Sequence, residues 1–154
     1  MDGNERLLIT GGRVFRHGGN VHHPTVADVL IEGDRIAKIE PGLADAGGAP
    51  AESVIDARDR LVIPGLVDTH YHSHDVLLKG SFETLPLDMW MINALLPSYP
   101  KRSTEEVRAR TLMGAAELIH SGVTTMQDML TFFPFSEEHL DAVMQAYADI
   151  GIRV

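Results

Sequence analysis

Short runs of β-prone residues, separated by turn residues, occupy the first sixty positions, at residues 7–15, 29–40, 54–56 and 61–63. Gly33 and Asp34 divide the second run as the turn of a two-residue hairpin would. This pattern predicts a small N-terminal β domain over residues 1–63, built as an antiparallel, sandwich-like unit.

A different pattern begins at Pro64-Gly65, where the apolar pair Leu66-Val67 leads into a polar segment that ends at His72. An apolar run of this kind is typical of a buried parallel strand that ends at a polar site. We therefore place a domain boundary here and assign residues 64–154 to a second domain.

Two helices follow in that second domain. Ser103 and Glu106 form a capping box ahead of apolar residues at helical spacing, and Gly122 ends that helix. A β-branched strand comes next, then a helix that Ser136 caps and Gly151 stops, and a further strand at residues 152–154.

This alternation of strands and helices predicts an α/β fold with a parallel sheet, either an open doubly wound sheet or a (β/α)8 TIM-type barrel. A complete barrel needs about 250 residues. Since only about ninety follow Pro64, we expect the first strands and helices of a barrel and not a closed one.

Composition narrows the classes of partner. The chain carries 13 Lys and Arg against 22 Asp and Glu, a formal charge of −9, so we expect no nucleic-acid partner. Its apolar stretches are shorter than the roughly 20 residues of a bilayer span, and no secretory signal opens the chain, so we expect a cytoplasmic protein without membrane contact.

The chain has no cysteine. Disulfides, thiolate metal sites and cysteine nucleophiles are therefore excluded, as is the class of nucleobase deaminases that bind zinc through His and Cys. Any metal in this sequence must be bound by histidines and carboxylates.

The main candidate for such a site is the pair His70 and His72. In a strand, residues two apart project to the same face, so Asp68, His70 and His72 point together and two imidazoles can share one ion. Eight histidines in 154 residues produce roughly 0.4 such pairs by chance, so the spacing alone is weak. The pair lies at the C-terminal end of the first strand, where barrel enzymes carry their ligands, and this position strengthens the metal-ligand interpretation.

The segment from Val62 to His72, Val-Ile-Pro-Gly-Leu-Val-Asp-Thr-His-Tyr-His, resembles the signature that opens the barrel of the amidohydrolase superfamily. The chain also resembles the cytosine deaminase and chlorohydrolase-like branch of that superfamily. The matching features are Lys79-Gly80, the segment Leu87 to Trp90, the helix end Gly122-Val-Thr-Thr125 and the preceding β domain.

The resemblance implies that His70 and His72 bind a divalent metal, zinc or alternatively iron, which makes hydroxide available near neutral pH. That hydroxide would attack a small-molecule substrate at a carbon–nitrogen bond that is not a peptide bond. Deamination of an aminated heterocycle is the expected reaction, and hydrolytic dechlorination is a related one. The family's other ligands and general base lie on later strands, so no residue here is assigned to them.

Two other functions stay open at this stage. One is a cyclic or acyl amide hydrolase of the dihydroorotase or aminoacylase type, in which a carboxylated lysine often bridges two metals. The other is a non-catalytic metal-binding or assembly module. Oligomeric state is also open, and a homo-oligomer is compatible with the sequence.

Four further residues are candidates for supporting the site or lining a substrate pocket. Asp68 either orients an imidazole or holds backbone amides, and His74 either touches substrate or is a solvated loop residue. Trp90 either forms an apolar pocket wall in a loop or packs in the core. Asp128 lies past the second strand, at the catalytic end of a barrel, or simply caps the next turn.

Overall fold

The computed structural model describes residues 5–45, 53–94, 102–131 and 135–154. The chain forms two compact units that divide between Pro64 and Gly65. Among the described residues, no helix combines the length and the apolar character that a bilayer span requires.

The first unit contains one five-stranded sheet, in which β3, β2, β1 and β4 are neighbours in that order and β5 also pairs with β1. Its strands are β1 (Arg6–Val14), β2 (Thr25–Glu32), β3 (Arg35–Glu40), β4 (Ser53–Asp56) and β5 (Leu61–Val62). The strands β2 and β3 flank Gly33 and Asp34, as the hairpin prediction required.

The expectation of a wholly antiparallel unit was wrong. Strands β1, β2 and β3 pair antiparallel, whereas β4 and β5 both pair parallel to β1, one after the other along the same edge. A parallel pair needs a crossover of a dozen or more residues, and the connection from Val14 to Ser53, which contains β2 and β3, is longer than that. The sheet is therefore mixed.

Apolar residues at alternate positions give this sheet its core. Val14, Ala27 and Val29 are buried, and partly buried apolar side chains pack against them. Val26 and Ile36 are exposed, so part of the sheet carries apolar side chains that the described residues do not cover.

The second unit contains two parallel strands, whose carboxyl ends meet at the same edge. Its elements are β6 (Leu66–Tyr71), a 3₁₀ helix (Ser73–Leu78), α1 (Leu87–Ala94), α2 (Thr104–His120), β7 (Val123–Asp128) and α3 (Glu137–Ile150). The predicted alternation of strands and helices is confirmed, and α1 and the 3₁₀ helix are additions to it.

Local signals in the sequence fix the ends of α2 and α3. The Ser103 hydroxyl accepts a hydrogen bond from the Glu106 amide at 3.1 Å, and Ser136 accepts one from the His139 amide at 3.4 Å. Gly151 ends α3 in the left-handed conformation at φ 80°, which glycine adopts without steric cost. The predicted caps are therefore confirmed.

Helices α2 and α3 pack on β7 around a core that centres on the buried residues Val107, Val143 and Tyr147. The expectation that β6 is buried was wrong for this chain, because Leu66 and Val67 are 47% and 63% exposed. Within the described residues β6 pairs with β7 alone, so nothing covers its other side. The third strand expected at residues 152–154 is a single parallel bridge between Thr125 and Arg153.

Candidate metal centre

The carboxyl end of β6 brings two imidazoles together. His70 lies in β6, and His72 follows it with extended backbone angles of φ −128° and ψ 91°. Because extended residues alternate in direction, both rings project to the same side. Their Nε2 atoms lie 3.1 Å apart and their ring centroids 4.9 Å apart.

The hydrogen bonding of His72 leaves its Nε2 atom free to act as a ligand. The Nδ1 atom lies 3.1 Å from the Met129 carbonyl oxygen. A carbonyl can only accept, so Nδ1 carries the hydrogen and the neutral ring keeps its lone pair on Nε2. Metal-binding histidines are commonly oriented in this way, by donating their second ring nitrogen to a backbone carbonyl or carboxylate.

The spacing of the two Nε2 atoms fits a shared ion. At a zinc–nitrogen distance of 2.0–2.1 Å in a tetrahedral site, two ligand nitrogens are about 3.3 Å apart. The distance of 3.1 Å between the Nε2 atoms of His70 and His72 is close to that value. The residues present therefore fit a divalent ion such as zinc, bound through both Nε2 atoms.

Asp68 holds the backbone and not an imidazole. Its Oδ1 atom accepts a hydrogen bond from the His70 amide at 3.0 Å. Of the two interpretations of Asp68, this contact corresponds to the carboxylate that fixes backbone amides near the strand end.

His74 is not the solvated loop residue that we expected as the main alternative. It lies in the 3₁₀ helix, and its side chain is 9% exposed. Burial lowers its pKa from the ordinary value, although the nearby Asp75 acts in the opposite direction. The chain coils at Ser73 instead of continuing outward, which turns this ring back toward the protein.

A wider cluster includes His72, His74 and Asp75, each of which offers one possible ligand atom within 4.8 Å of the others. In His74, however, Nδ1 already has a hydrogen-bond donor, and Nε2 faces the Asp75 carboxylate. Its Nδ1 accepts from the Thr131 amide at 3.2 Å, so Nε2 carries the hydrogen, and Nε2 lies 3.2 Å from Asp75 Oδ1. This arrangement favours His70 with His72 as the ligand pair and leaves His74 beside it, with ring centroids 5.3 Å from His72.

Asp128 does more than cap a turn, which was our preferred alternative. Its carboxylate accepts hydrogen bonds from the Ser73 amide at 3.1 Å, the Ser73 hydroxyl at 2.6 Å and the Tyr147 hydroxyl at 2.7 Å. Parallel pairing places Asp128 beside Tyr71 at the ends of β7 and β6. The structure thus brings Asp128 next to the histidine segment.

Trp90 lies in helix α1 and not in a loop, and it is half-buried. Its neighbours Met89 and Met91 are 45% and 47% exposed, so these methionines do not form a buried core around it. No hydrogen bond joins α1 to the histidine pair among the described residues.

Sequence reasoning missed Ser73, Asp75, Tyr147 and the carbonyl of Met129. A backbone carbonyl has no signature in the sequence, and Tyr147 is indistinguishable there from an ordinary apolar position of α3. One available signal was the parallel pairing itself, since the ends of adjacent parallel strands meet at one edge. That rule alone places residues 128–129 beside residues 71–73.

Fold and site together define an α/β protein whose first parallel strand carries a histidine pair at its carboxyl end. The sequence model of the amidohydrolase family matches residues 61–154. The chain therefore belongs to the amidohydrolase family.

Relatives with assigned activities include two deaminases of adenosine derivatives. The chain is 40% identical to 5-methylthioadenosine/S-adenosylhomocysteine deaminase from Thermococcus kodakarensis over 147 residues, which cover 96% of this chain and 32% of that protein. It is 35% identical to 5'-deoxyadenosine deaminase from Methanothermobacter thermautotrophicus over 150 residues, with coverage of 97% and 32%. The chain thus spans about a third of the length of these relatives.

Solved structures with the same fold include two zinc enzymes. Atrazine chlorohydrolase from Arthrobacter aurescens, complexed with zinc, superposes with a TM-score of 0.80 at 26% identity, over 96% of this chain and 34% of that one. An adenosine deaminase from Xanthomonas campestris with bound zinc gives 0.75 at 26% identity, over 97% and 33%.

Proposed function

We propose that this chain is part of a metal-dependent hydrolase that removes an amino group from an aminated heterocycle. The observation that carries the proposal is the pair of Nε2 atoms of His70 and His72, 3.1 Å apart, with the His72 ring oriented by a backbone carbonyl. The deaminase relatives favour a purine nucleoside derivative as the substrate class.

In this proposal His70 and His72 hold a divalent ion, zinc rather than iron, as the zinc-containing structures favour. A bound divalent ion supplies the Lewis acidity that makes water a nucleophile near neutral pH. The Met129 carbonyl fixes the orientation of the His72 ring, and Asp68 fixes the backbone of His70. His74 lies beside the pair and Trp90 lies on α1, where either could meet a substrate.

Hydrolytic dechlorination is a second candidate because the chain superposes well on atrazine chlorohydrolase. Both reactions replace a leaving group on a nitrogen heterocycle by the oxygen of water. They differ in the group released, which is ammonia in one case and chloride in the other. Product analysis therefore separates them directly.

We also propose the domain assignment that the sequence suggested, with residues 1–63 as a small sandwich-like β domain and 64–154 as the first part of a (β/α)8 barrel. The exposed apolar residues Val26 and Ile36 support a second layer over the sheet. The exposed side of β6 supports further strands next to it. A cytoplasmic location, a small-molecule substrate and the absence of nucleic-acid and membrane partners stay predictions.

The test is an assay of the longest natural protein that contains this chain. It measures ammonia release from 5'-deoxyadenosine, 5-methylthioadenosine and S-adenosylhomocysteine, and chloride release from atrazine. We expect ammonia from at least one purine, loss of that activity after chelation and recovery on adding zinc. Ammonia release that persists after complete metal removal would contradict the proposal, and chloride release without ammonia would favour the second candidate.

A further inference from the structure

Residues 128 and 129, at the end of β7, form hydrogen bonds to residues 71–73, which include the second histidine. The Met129 amide donates to the Tyr71 carbonyl at 2.7 Å, and His72 Nδ1 donates to the Met129 carbonyl at 3.1 Å. The Ser73 amide and hydroxyl donate to the Asp128 carboxylate at 3.1 and 2.6 Å. Four hydrogen bonds thus hold the residue before His72, the His72 ring and the residue after it.

The Asp128 carboxylate is held in place by donors from two elements. Ser73, which is 0% exposed, donates from the start of the 3₁₀ helix, and Tyr147, which is 1% exposed, donates its hydroxyl at 2.7 Å from α3. A carboxylate in such surroundings depends on its donors, because a lost hydrogen bond leaves charge without compensation. Its position is therefore tightly fixed by Ser73 and Tyr147.

The connection from this carboxylate to the metal centre runs through the backbone. Ser73 is covalently next to His72, so fixing the Ser73 amide fixes the peptide plane that leaves His72. Asp128 is likewise covalently next to Met129, whose carbonyl sets the His72 ring. Asp128 at the end of β7 and Met129 after it therefore constrain both the backbone and the imidazole of one proposed ligand.

We propose that Asp128 is a positioning residue for the metal ligand His72, acting through Ser73 and held in place by Tyr147. This inference rests on the proposed function in taking His72 as a ligand. Asp128 does not bind the ion in this account. It keeps the His72 Nε2 atom at the place where it and the His70 Nε2 atom converge.

The competing account is that Asp128 only anchors α3 and the 3₁₀ helix to β7. A purely structural anchor would change the melting temperature of the variants and leave the metal site of the folded protein unaltered. A positioning residue would change the site itself. Metal affinity and the ligand-field spectrum of bound cobalt separate the two accounts, since neither depends on overall stability once the protein is folded.

The experiment uses the longest natural protein that contains this chain, with Asp128→Ala, Asp128→Asn and Tyr147→Phe variants. Asp141→Ala is the matched control, because Asp141 is an exposed aspartate on α3. Zinc affinity is measured by competition with a chelator, and cobalt-substituted protein is examined by visible absorption. Folding of every variant is checked by circular dichroism.

We expect Asp128→Ala to weaken zinc binding by about 10- to 100-fold and to change the cobalt spectrum, as loss of a group that orients a metal ligand typically does. Asp128→Asn and Tyr147→Phe should show smaller losses in the same direction, and the control should match the wild type. If Asp128→Ala does not fold, the two milder variants decide the question.

Folded Asp128 variants with wild-type zinc affinity and cobalt spectrum would overturn the inference. A parallel measurement on His72→Ala distinguishes this failure from failure of the proposed function. Loss of zinc in His72→Ala with no effect in the Asp128 variants refutes the positioning role alone. Unchanged zinc binding in His72→Ala refutes the ligand assignment, and the positioning role with it.

Discussion

Gly114 of α2 lies directly against the side chain of Tyr71, the residue between the two histidines. A Cβ atom added at Gly114 would lie 2.1 Å from the Tyr71 hydroxyl oxygen and 2.8 Å from Val76 Cγ2. Both distances are shorter than atoms tolerate, so Gly114→Ala forces the Tyr71 and Val76 side chains away from α2. We predict that this substitution destabilises the protein and that Tyr71→Phe partly rescues it.

The size of the effect follows from two opposing contributions. Alanine is favoured over glycine inside a helix by about 1 kcal/mol, whereas overpacking a core costs about 1–3 kcal/mol. The Tyr71 hydroxyl has no hydrogen-bond partner among the described residues, so Tyr71→Phe alone should be close to neutral. In the Gly114→Ala protein, Tyr71→Phe removes the 2.1 Å contact and leaves the ring carbon Cζ 3.4 Å from the new Cβ atom. We therefore expect the double variant to be more stable than the two single effects predict, by on the order of 1 kcal/mol.

The assay is urea denaturation of the wild type, both single variants and the double variant, without metal. Comparison of the four free energies of unfolding gives the coupling between positions 71 and 114. Additive effects of the two substitutions would refute the close packing of Tyr71 on Gly114 of α2. The 2.8 Å contact with Val76 is untouched by Tyr71→Phe, so complete rescue is not expected.

The remaining predictions concern local contacts. Ser103→Ala removes the cap that accepts from the Glu106 amide and should lower stability by about 0.5–2 kcal/mol, measured by urea denaturation; an unchanged midpoint would contradict the cap. Arg58 lowers the pKa of Asp56 from 3.8 to about 2 by hydrogen bonding to its carboxylate. A carboxyl group whose pKa is lower in the folded protein stabilises the fold at pH values above its ordinary pKa. Stability should therefore fall as the pH drops from 3.8 toward 2, and Asp56→Asn should show less of this fall in acid melting curves.

Much of the second unit could be predicted from the sequence because its boundaries depend on local chemistry. Ser103, Ser136 and Gly151 act within a few residues of their own positions, so their effects can be read from the chain alone. Strand partners are different. The parallel pairing of β4 and β5 with β1 depends on contacts between distant residues, and strands of four and two residues carry no pattern that reveals their direction.

The candidate site divides in the same way. The convergence of His70 and His72 follows from the alternation of extended residues, which spacing alone reveals. The burial of His74 depends on the chain coiling after Ser73, and the role of Asp128 depends on the pairing of β6 with β7. The spacing of the histidines predicts neither feature, so the sequence could name these residues as candidates without assigning their contacts.

The most direct test of the account is the metal content of the longest natural protein that contains this chain, measured by elemental analysis. We predict about one divalent ion per chain in the wild type and a severe loss in the His70→Ala/His72→Ala double variant. The matched control is His22→Ala/His23→Ala, which removes two exposed loop histidines of the first unit and should retain its metal. Undiminished metal in a folded His70→Ala/His72→Ala protein would contradict the assignment of the metal centre.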